Sequence, residues 1–271
     1  MSRHEVPAYG LNFHCQVDGH PEAPWLVFSN SIMTDLTLWD AQVAALSAGY
    51  RILRYDHRGH GGTDVPGGAC TSDQLADDLI ALCDWFHIER AVVIGVSMGG
   101  VTALRAAERY PARVAGVVAL DAQWCAPAGA AAVWDERIRV VRERGMEVLV
   151  EPTIARWFTP AFLATAPPSL DRVRSMIRHT PVEGFVASAQ SLRDYDVRPD
   201  WSRLQAPVCL AAGASDGALP GVMREMHRAL PGSTFIEIAG AGHLPHLEKP
   251  AEVQRVVDGF LQHIGWTASA H

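Results

Sequence analysis

Ala91-Val92-Val93-Ile94-Gly95-Val96-Ser97-Met98-Gly99-Gly100 is an apolar run that stops at a glycine, shows one serine and restarts with helical composition over residues 101–110. It reads as strand, sharp turn, helix. In such a turn the serine takes a strained backbone conformation that pushes its hydroxyl off the sheet edge, and only glycines beside it avoid a clash. The pattern is Gly-x-Ser-x-Gly. A chain with 23 glycines in 271 residues can match it by accident, so the strand-to-helix setting is what gives it weight.

Working outward, residues 50–55 read as the preceding strand and residues 114–120 as a following strand apolar on both faces. Between them Leu75, Leu79, Leu82 and Phe86 fall at helical spacing, with Thr71, Ser72 or Asp73 available as the cap. Strand and helix therefore alternate, which implies an α/β fold with a mostly parallel sheet and helices on both sides. Upstream, residues 10–17 and 25–29 read as strands, Asn30-Ser31-Ile32-Met33-Thr34-Asp35 as a polar loop and residues 39–46 as a helix. Alternation stops between residues 124 and 200, where helical stretches are punctuated by Pro152, Pro160, Pro167, Pro168, Pro181 and Pro199. It resumes with residues 208–212, 222–230, 234–238 and 253–264. The organisation predicted is a core of residues 1–122 and 203–271 carrying a helical insertion, 123–202. An insertion placed after a strand, near the strand ends where ligands bind in open α/β sheets, is expected to act as a lid.

Composition excludes several classes. Hydrophobic residues at 48% and charged residues at 20% describe a globular chain, and a formal charge of −7 argues against a nucleic-acid partner. The arginines of residues 137–144 are interleaved with acids, as on a solvated helix face. No apolar run is long enough to span a membrane and Met1-Ser2-Arg3-His4-Glu5 lacks the apolar core of a signal peptide, so a cytoplasmic protein without a membrane partner is expected. Cys15, Cys70, Cys83, Cys125 and Cys209 are odd in number and widely spaced, which suggests buried thiols rather than disulfides or zinc ligands. His57 and His60 lie in a Gly-rich loop with no third ligand nearby, a pattern that fits a tight turn better than a metal site. No cofactor or metal is called for, and a monomer or small homo-oligomer acting on a small molecule is expected.

A serine hydroxyl needs a base within hydrogen-bond reach, itself oriented by a carboxylate. Asp216 follows the strand at 208–212 and His243 follows the strand at 234–238, so both join Ser97 on one sheet edge. Taken singly, each is an ordinary turn residue beside glycine. Together on successive strand ends they make a nucleophile, base and acid. Asp121 also follows a strand and is an alternative acid, whereas His246, within Leu244-Pro245-His246-Leu247, is expected to pack in the core. An oxyanion hole needs two N–H donors, nominated here at Met98 and Ile32. In the insertion, Trp134, Arg137, Ile138 and Val141 share one helical face, so Arg137 points inward with apolar neighbours. A substrate carboxylate would satisfy it, as would an internal ion pair; Arg156 and Arg193 are alternative anchors.

The order Ser97, Asp216, His243 is that of the α/β-hydrolase triad, and the chain resembles the α/β-hydrolase superfamily. More narrowly it is similar to 3-oxoadipate enol-lactonases, in Phe28-Ser29-Asn30-Ser31-Ile32-Met33-Thr34-Asp35, Leu53-Arg54-Tyr55-Asp56-His57-Arg58-Gly59-His60-Gly61, Val133-Trp134-Asp135-Glu136-Arg137-Ile138, Ile154-Ala155-Arg156-Trp157-Phe158-Thr159-Pro160 and Arg193-Asp194-Tyr195-Asp196. It departs at His57, where those lactonases often have threonine, and in Asp216-Gly217-Ala218-Leu219-Pro220, which looks shortened. The resemblance implies a cofactor-free hydrolase of a small carboxylated lactone in aromatic catabolism, with Ser31, Trp134, Arg137 and Arg156 against the substrate. The alternatives are a carboxylesterase of small esters, a carbon-carbon bond hydrolase of ring-cleavage products, and a non-catalytic binding protein on the same scaffold.

Overall fold

A computed structural model describes residues 1–198 and 203–267. Its eight strands are β1 (Ser2–Ala8), β2 (Leu11–Gly19), β3 (Trp25–Ser29), β4 (Arg51–Tyr55), β5 (Ala91–Val96), β6 (Val114–Leu120), β7 (Val208–Gly213) and β8 (Thr234–Ile238). They form one sheet in the order β1-β2-β4-β3-β5-β6-β7-β8. β1 pairs with β2 and β2 with β4 antiparallel, and every later pairing is parallel. The α/β class and the mostly parallel sheet expected from the alternation are both present.

Period-two alternation divides the sheet into two apolar faces. Val92, Ile94 and Val96 of β5 pack on one side with Phe28, Ile52, Val118 and the helices α1 (Asp40–Leu46) and α11 (Pro250–His263). Val93 and its neighbours Val27, Leu53 and Val117 pack on the other, with α2 (Ser72–Trp85), α3 (Met98–Arg109) and α9 (Leu219–Ala229). Of the possible caps for α2, Thr71 is used: its hydroxyl accepts the Gln74 N–H at 3.2 Å and the Gln74 side chain accepts the Thr71 N–H at 2.9 Å. Such a reciprocal cap contributes about 1 kcal/mol.

The structure corrects three readings. β1 was not foreseen, because Val6 is its one buried residue and a strand so exposed carries no alternating apolar signal. The helix expected from residue 39 begins with a 3₁₀ turn, Leu36–Trp39, whose cap is Asp35. α9 and α11 each start three residues before their apolar pattern, at Leu219 and Pro250, because Pro220 and Pro250 suit a first helical turn.

Between β6 and β7 the chain makes α4 (Ala130–Arg144), α5 (Glu147–Trp157), α6 (Pro160–Thr165), α7 (Pro168–His179) and α8 (Val182–Ser191), with one isolated bridge, Cys125 to Asp196. Pro160 and Pro168 start helices, and Pro152 lies within α5. The expected end of the insertion at residue 202, with Pro199, lies outside the described residues. The sheet order reverses direction about β3, since β4 lies on one side of it and β5 on the other. Open α/β sheets bind ligands beyond the carboxyl ends of the strands at such a reversal. That is where the loop after β3 and the turn after β5 meet. No helix among the described residues is long and apolar enough to cross a membrane.

Candidate active site

Ser97 joins β5 to α3 with φ 55° and ψ −119°, a left-handed conformation rare for a residue with a Cβ. Close approach of backbone on both sides holds it there. A Cβ at Gly95 would sit 2.2 Å from the Gly99 carbonyl oxygen, and one at Gly99 would sit 2.1 Å from that of Ser29. The glycines of the motif therefore let the turn pack against itself and against the end of β3. Met98 begins α3, so its N–H is one of the donors a helix start leaves without an intrahelical partner. Ile32, in the loop after β3, borders the same cavity as Ser97 and Met98.

That cavity has a volume of about 580 Å³ and lies between the sheet edge and the insertion. Ser97, His243 and Asp121 line it from the core, and Trp134, Arg137 and Arg156 from α4 and α5. Ser31 is not in its wall: it is wholly buried, and among the described residues its hydroxyl oxygen has no hydrogen-bond partner.

Asp216 and His243 meet across the loops after β7 and β8, with Nδ1 of His243 2.6 Å from Oδ2 of Asp216. The other carboxylate oxygen accepts from Arg156 at 2.5 Å. Asp216 has no exposed surface. Burial pushes its carboxyl up, but His243 and then Arg156 more than offset this and leave it at about 2. Ser97 and His243 share the cavity wall without a hydrogen bond between them; such contacts commonly tighten only when substrate arrives. Asp121 lies beside Asp216 and His243, at φ 44°, its Oδ1 accepting the Gly213 N–H at 2.9 Å.

The His243 loop is tied to the end of α5. Its N–H donates to the Trp157 carbonyl at 2.7 Å, and the Trp157 and His243 rings stack at 5.8 Å. Glu248 accepts from Gly242 N–H at 2.7 Å and from the Thr159 hydroxyl at 2.6 Å. Sequence reasoning missed these contacts and the Arg156 to Asp216 pair. Thr159 and Glu248 are 89 residues apart and Arg156 and Asp216 are 60, and no local pattern marks either pair.

Arg137 is half-buried, and among the described residues no carboxylate pairs with it. Its guanidinium stands 4.9 Å from the centre of the Trp134 ring. Burial first, and then the neighbouring charge of Arg156, lowers its affinity for its proton, so an anion placed there would be welcome. Arg193, the other candidate anchor, is committed to Asp135 at 2.9 Å.

The paired histidines serve the fold. His57 Nε2 lies 3.2 Å from the Ser29 hydroxyl, and His60 Nδ1 donates to the Arg58 carbonyl at 3.1 Å, both rings being buried. His246 is fully buried and stacks on Trp39 at 4.4 Å. One donor atom each from Asp121, Asp216 and His243 lie within 4.8 Å of one another. Those of Asp216 and His243 already pair with each other, and Arg156 adds a cation, so the cluster suits proton chemistry better than a metal.

A sequence model described as alpha/beta hydrolase fold matches residues 24–250. The chain belongs to the α/β-hydrolase fold family. This α/β hydrolase is 32% identical to a 3-oxoadipate enol-lactonase of Acinetobacter baylyi, over 90% of its own length and 91% of the relative's. The crystal structure of the enol-lactonase from Burkholderia xenovorans superposes with a TM-score of 0.90 at 34% identity, covering 95% of this chain and 99% of that one. A malate-bound thermophilic esterase from Thermogutta terrifontis follows at TM-score 0.87 and 28% identity, covering 97% and 99%. The family and these relatives make the protein an enzyme, a hydrolase acting on ester bonds.

Proposed function

We propose that this α/β hydrolase opens a small carboxylated lactone, the enol-lactone whose hydrolysis gives 3-oxoadipate. The observation that carries the reading is Arg137, a cation with no acidic partner among the described residues, set in the wall of the cavity that Ser97 and His243 line. A mostly apolar pocket with one unmet cation beside the serine and histidine fits a compact substrate bearing one carboxylate. The two enol-lactonase relatives support the choice of lactone, and the malate held by the related esterase shows that its structure accommodates a small carboxylate.

In the reaction, His243 takes the Ser97 proton as the serine attacks the lactone carbonyl, and Asp216 holds the imidazolium so formed. The N–H groups of Met98 and Ile32 receive the developing oxyanion. Collapse of the tetrahedral species breaks the ring ester bond, and the leaving oxygen departs as an enolate still tethered to the acyl group. The His243 imidazolium gives its proton to that enolate, which frees the base, and tautomerisation to the ketone helps make the opening irreversible. Water, deprotonated by His243, then attacks the acyl-enzyme, and Ser97 recovers its proton as the product acid leaves. The insertion, residues 123–202, serves as a cap over the core and supplies Arg137 and Trp134 to the substrate. Five free cysteines, four of them buried, suit the reducing cytoplasm, where we place the enzyme.

The direct test is an assay of purified protein on the enol-lactone, on short p-nitrophenyl esters and on a vinylogous diketone acid. The enol-lactone should exceed the neutral esters in kcat/KM by about ten- to a hundredfold, the size of one charge-assisted hydrogen bond. Turnover of the diketone acid alone would make the protein a carbon-carbon bond hydrolase instead.

A further inference from the structure

Behind His243 stand two carboxyl groups where a triad needs one. Asp216 and Asp121 are 0% and 1% exposed, and one carboxylate oxygen of each lies, with a His243 ring nitrogen, within a 4.8 Å group. Two carboxylates this close and this buried disfavour a second negative charge on the pair. The charged groups facing the pair are His243, from the loop after β8, and Arg156, from α5. Both bond to Asp216, and neither bonds to Asp121. Among the described residues Asp121 receives only the Gly213 N–H, on Oδ1, while its Oδ2 is buried without a partner. The negative charge therefore belongs to Asp216. A proton on Oδ2 of Asp121 would remove both the repulsion and the unmet atom, since that oxygen would become a donor.

We propose that Asp121 is a positioning residue that, as a neutral carboxylic acid, donates a hydrogen bond from Oδ2 to Asp216 and so fixes the carboxylate on which His243 depends. Electrostatics agree with the geometry. Burial first, then Asp216, raises the Asp121 carboxyl well above the usual carboxylate range, and the Gly213 N–H and Arg156 only partly oppose this. The arrangement accounts for the two acids on adjacent strand ends without making either redundant: one carries the charge and the other aims it. The proposal rests on the Ser97, Asp216, His243 reading.

Asparagine reproduces a protonated aspartate, with an oxygen for Gly213 N–H and an N–H₂ for Asp216, and it tolerates the φ of 44° at this position. Asp121→Asn, Asp121→Ala and Asp216→Asn should be compared on p-nitrophenyl acetate across pH, with infrared spectra of the wild type and Asp121→Asn at pH 7. Asp121→Ala should lose about ten- to a hundredfold in kcat. Its acid-side limb should move to higher pH, because an Asp216 stripped of its donor holds the imidazolium proton more firmly. Asp121→Asn should recover most of that loss, and the wild type should show a protonated-carboxyl band that this variant lacks. Three results would overturn the proposal: an Asp121→Asn loss as deep as that of Asp216→Asn, an unmoved pH limb in Asp121→Ala, or no band difference. The infrared comparison needs neither a folded alanine variant nor catalysis, so a failure of the lactonase reading remains distinguishable from a failure of this one.

Discussion

At Ser97 a backbone conformation of φ 55° is maintained because Gly95 and Gly99 let the turn pack against itself and against the end of β3. Removing the hydroxyl leaves those contacts intact. Ser97→Ala should fold like the parent and lose about 10⁶ in kcat, the usual consequence of deleting a triad nucleophile; an ester assay retaining more than a per cent of parental turnover would contradict the role. Gly99→Ala acts in the opposite way: its new Cβ would meet the Ser29 carbonyl oxygen at 2.1 Å, so the loss should appear first as a lowered urea midpoint. The positions of Ser97, Asp216 and His243 were legible in sequence because each follows an apolar strand and stands beside glycine. Arg156 was legible only as an arginine near the site. That it bonds to Asp216, at 2.5 Å, depends on how α5 lies over the loop after β7, which no local spacing encodes.

Among elements, the same contrast separates buried strands from the rest. β6, buried along its whole length, fell where its apolar run placed it, whereas β1, an edge strand with a single buried side chain, left no pattern to read. The insertion was legible as helical but not in its attachment. Glu248 bridges the Gly242 N–H and the Thr159 hydroxyl, tying the end of α5 to the loop that carries His243. Hydrogen bonds to a charged group contribute about 1.5 to 3 kcal/mol each, and Glu248→Ala removes this bridge and leaves a buried N–H unpaired. Urea unfolding should show a loss of about 2 kcal/mol or more, with kcat falling further than KM rises, because the loop that holds His243 is loosened. A stability loss with unchanged kcat would mean that the bridge supports the insertion alone.

For the whole molecule, the buried histidines set the response to acid. Burial lowers both His57 and His246 from the ordinary 6.5 to about 3, and it lowers His60 as well. Between those values the unfolded chain binds protons that the folded chain refuses, so stability falls as pH drops through 6.5 and stops falling only near 3. By pH 5 each of the two contributes a loss of about 2 kcal/mol. His14 and Asp121 work against this: the hydrogen bond to Asp56 raises His14, a stabilisation complete below the ordinary histidine value and lost as pH rises through the raised one, and burial beside Asp216 raises Asp121, so the folded chain holds a proton there that the unfolded chain releases. Urea melts at pH 7 and pH 5 should show a net loss on acidification that is smaller in His246→Phe; an equal loss would remove His246 from the account. In the proposed function, the cavity between core and insertion is the site at this scale, lined by Ser97 and His243 from the core and by Arg137 from the insertion. The most direct measurement is kcat/KM of the wild type and Arg137→Ala on the carboxylated enol-lactone and on its uncharged methyl ester. The substitution should cost about ten- to a hundredfold on the acid and leave the ester almost unchanged. Equal losses on both substrates would contradict the claim that this enzyme selects a carboxylated lactone through Arg137.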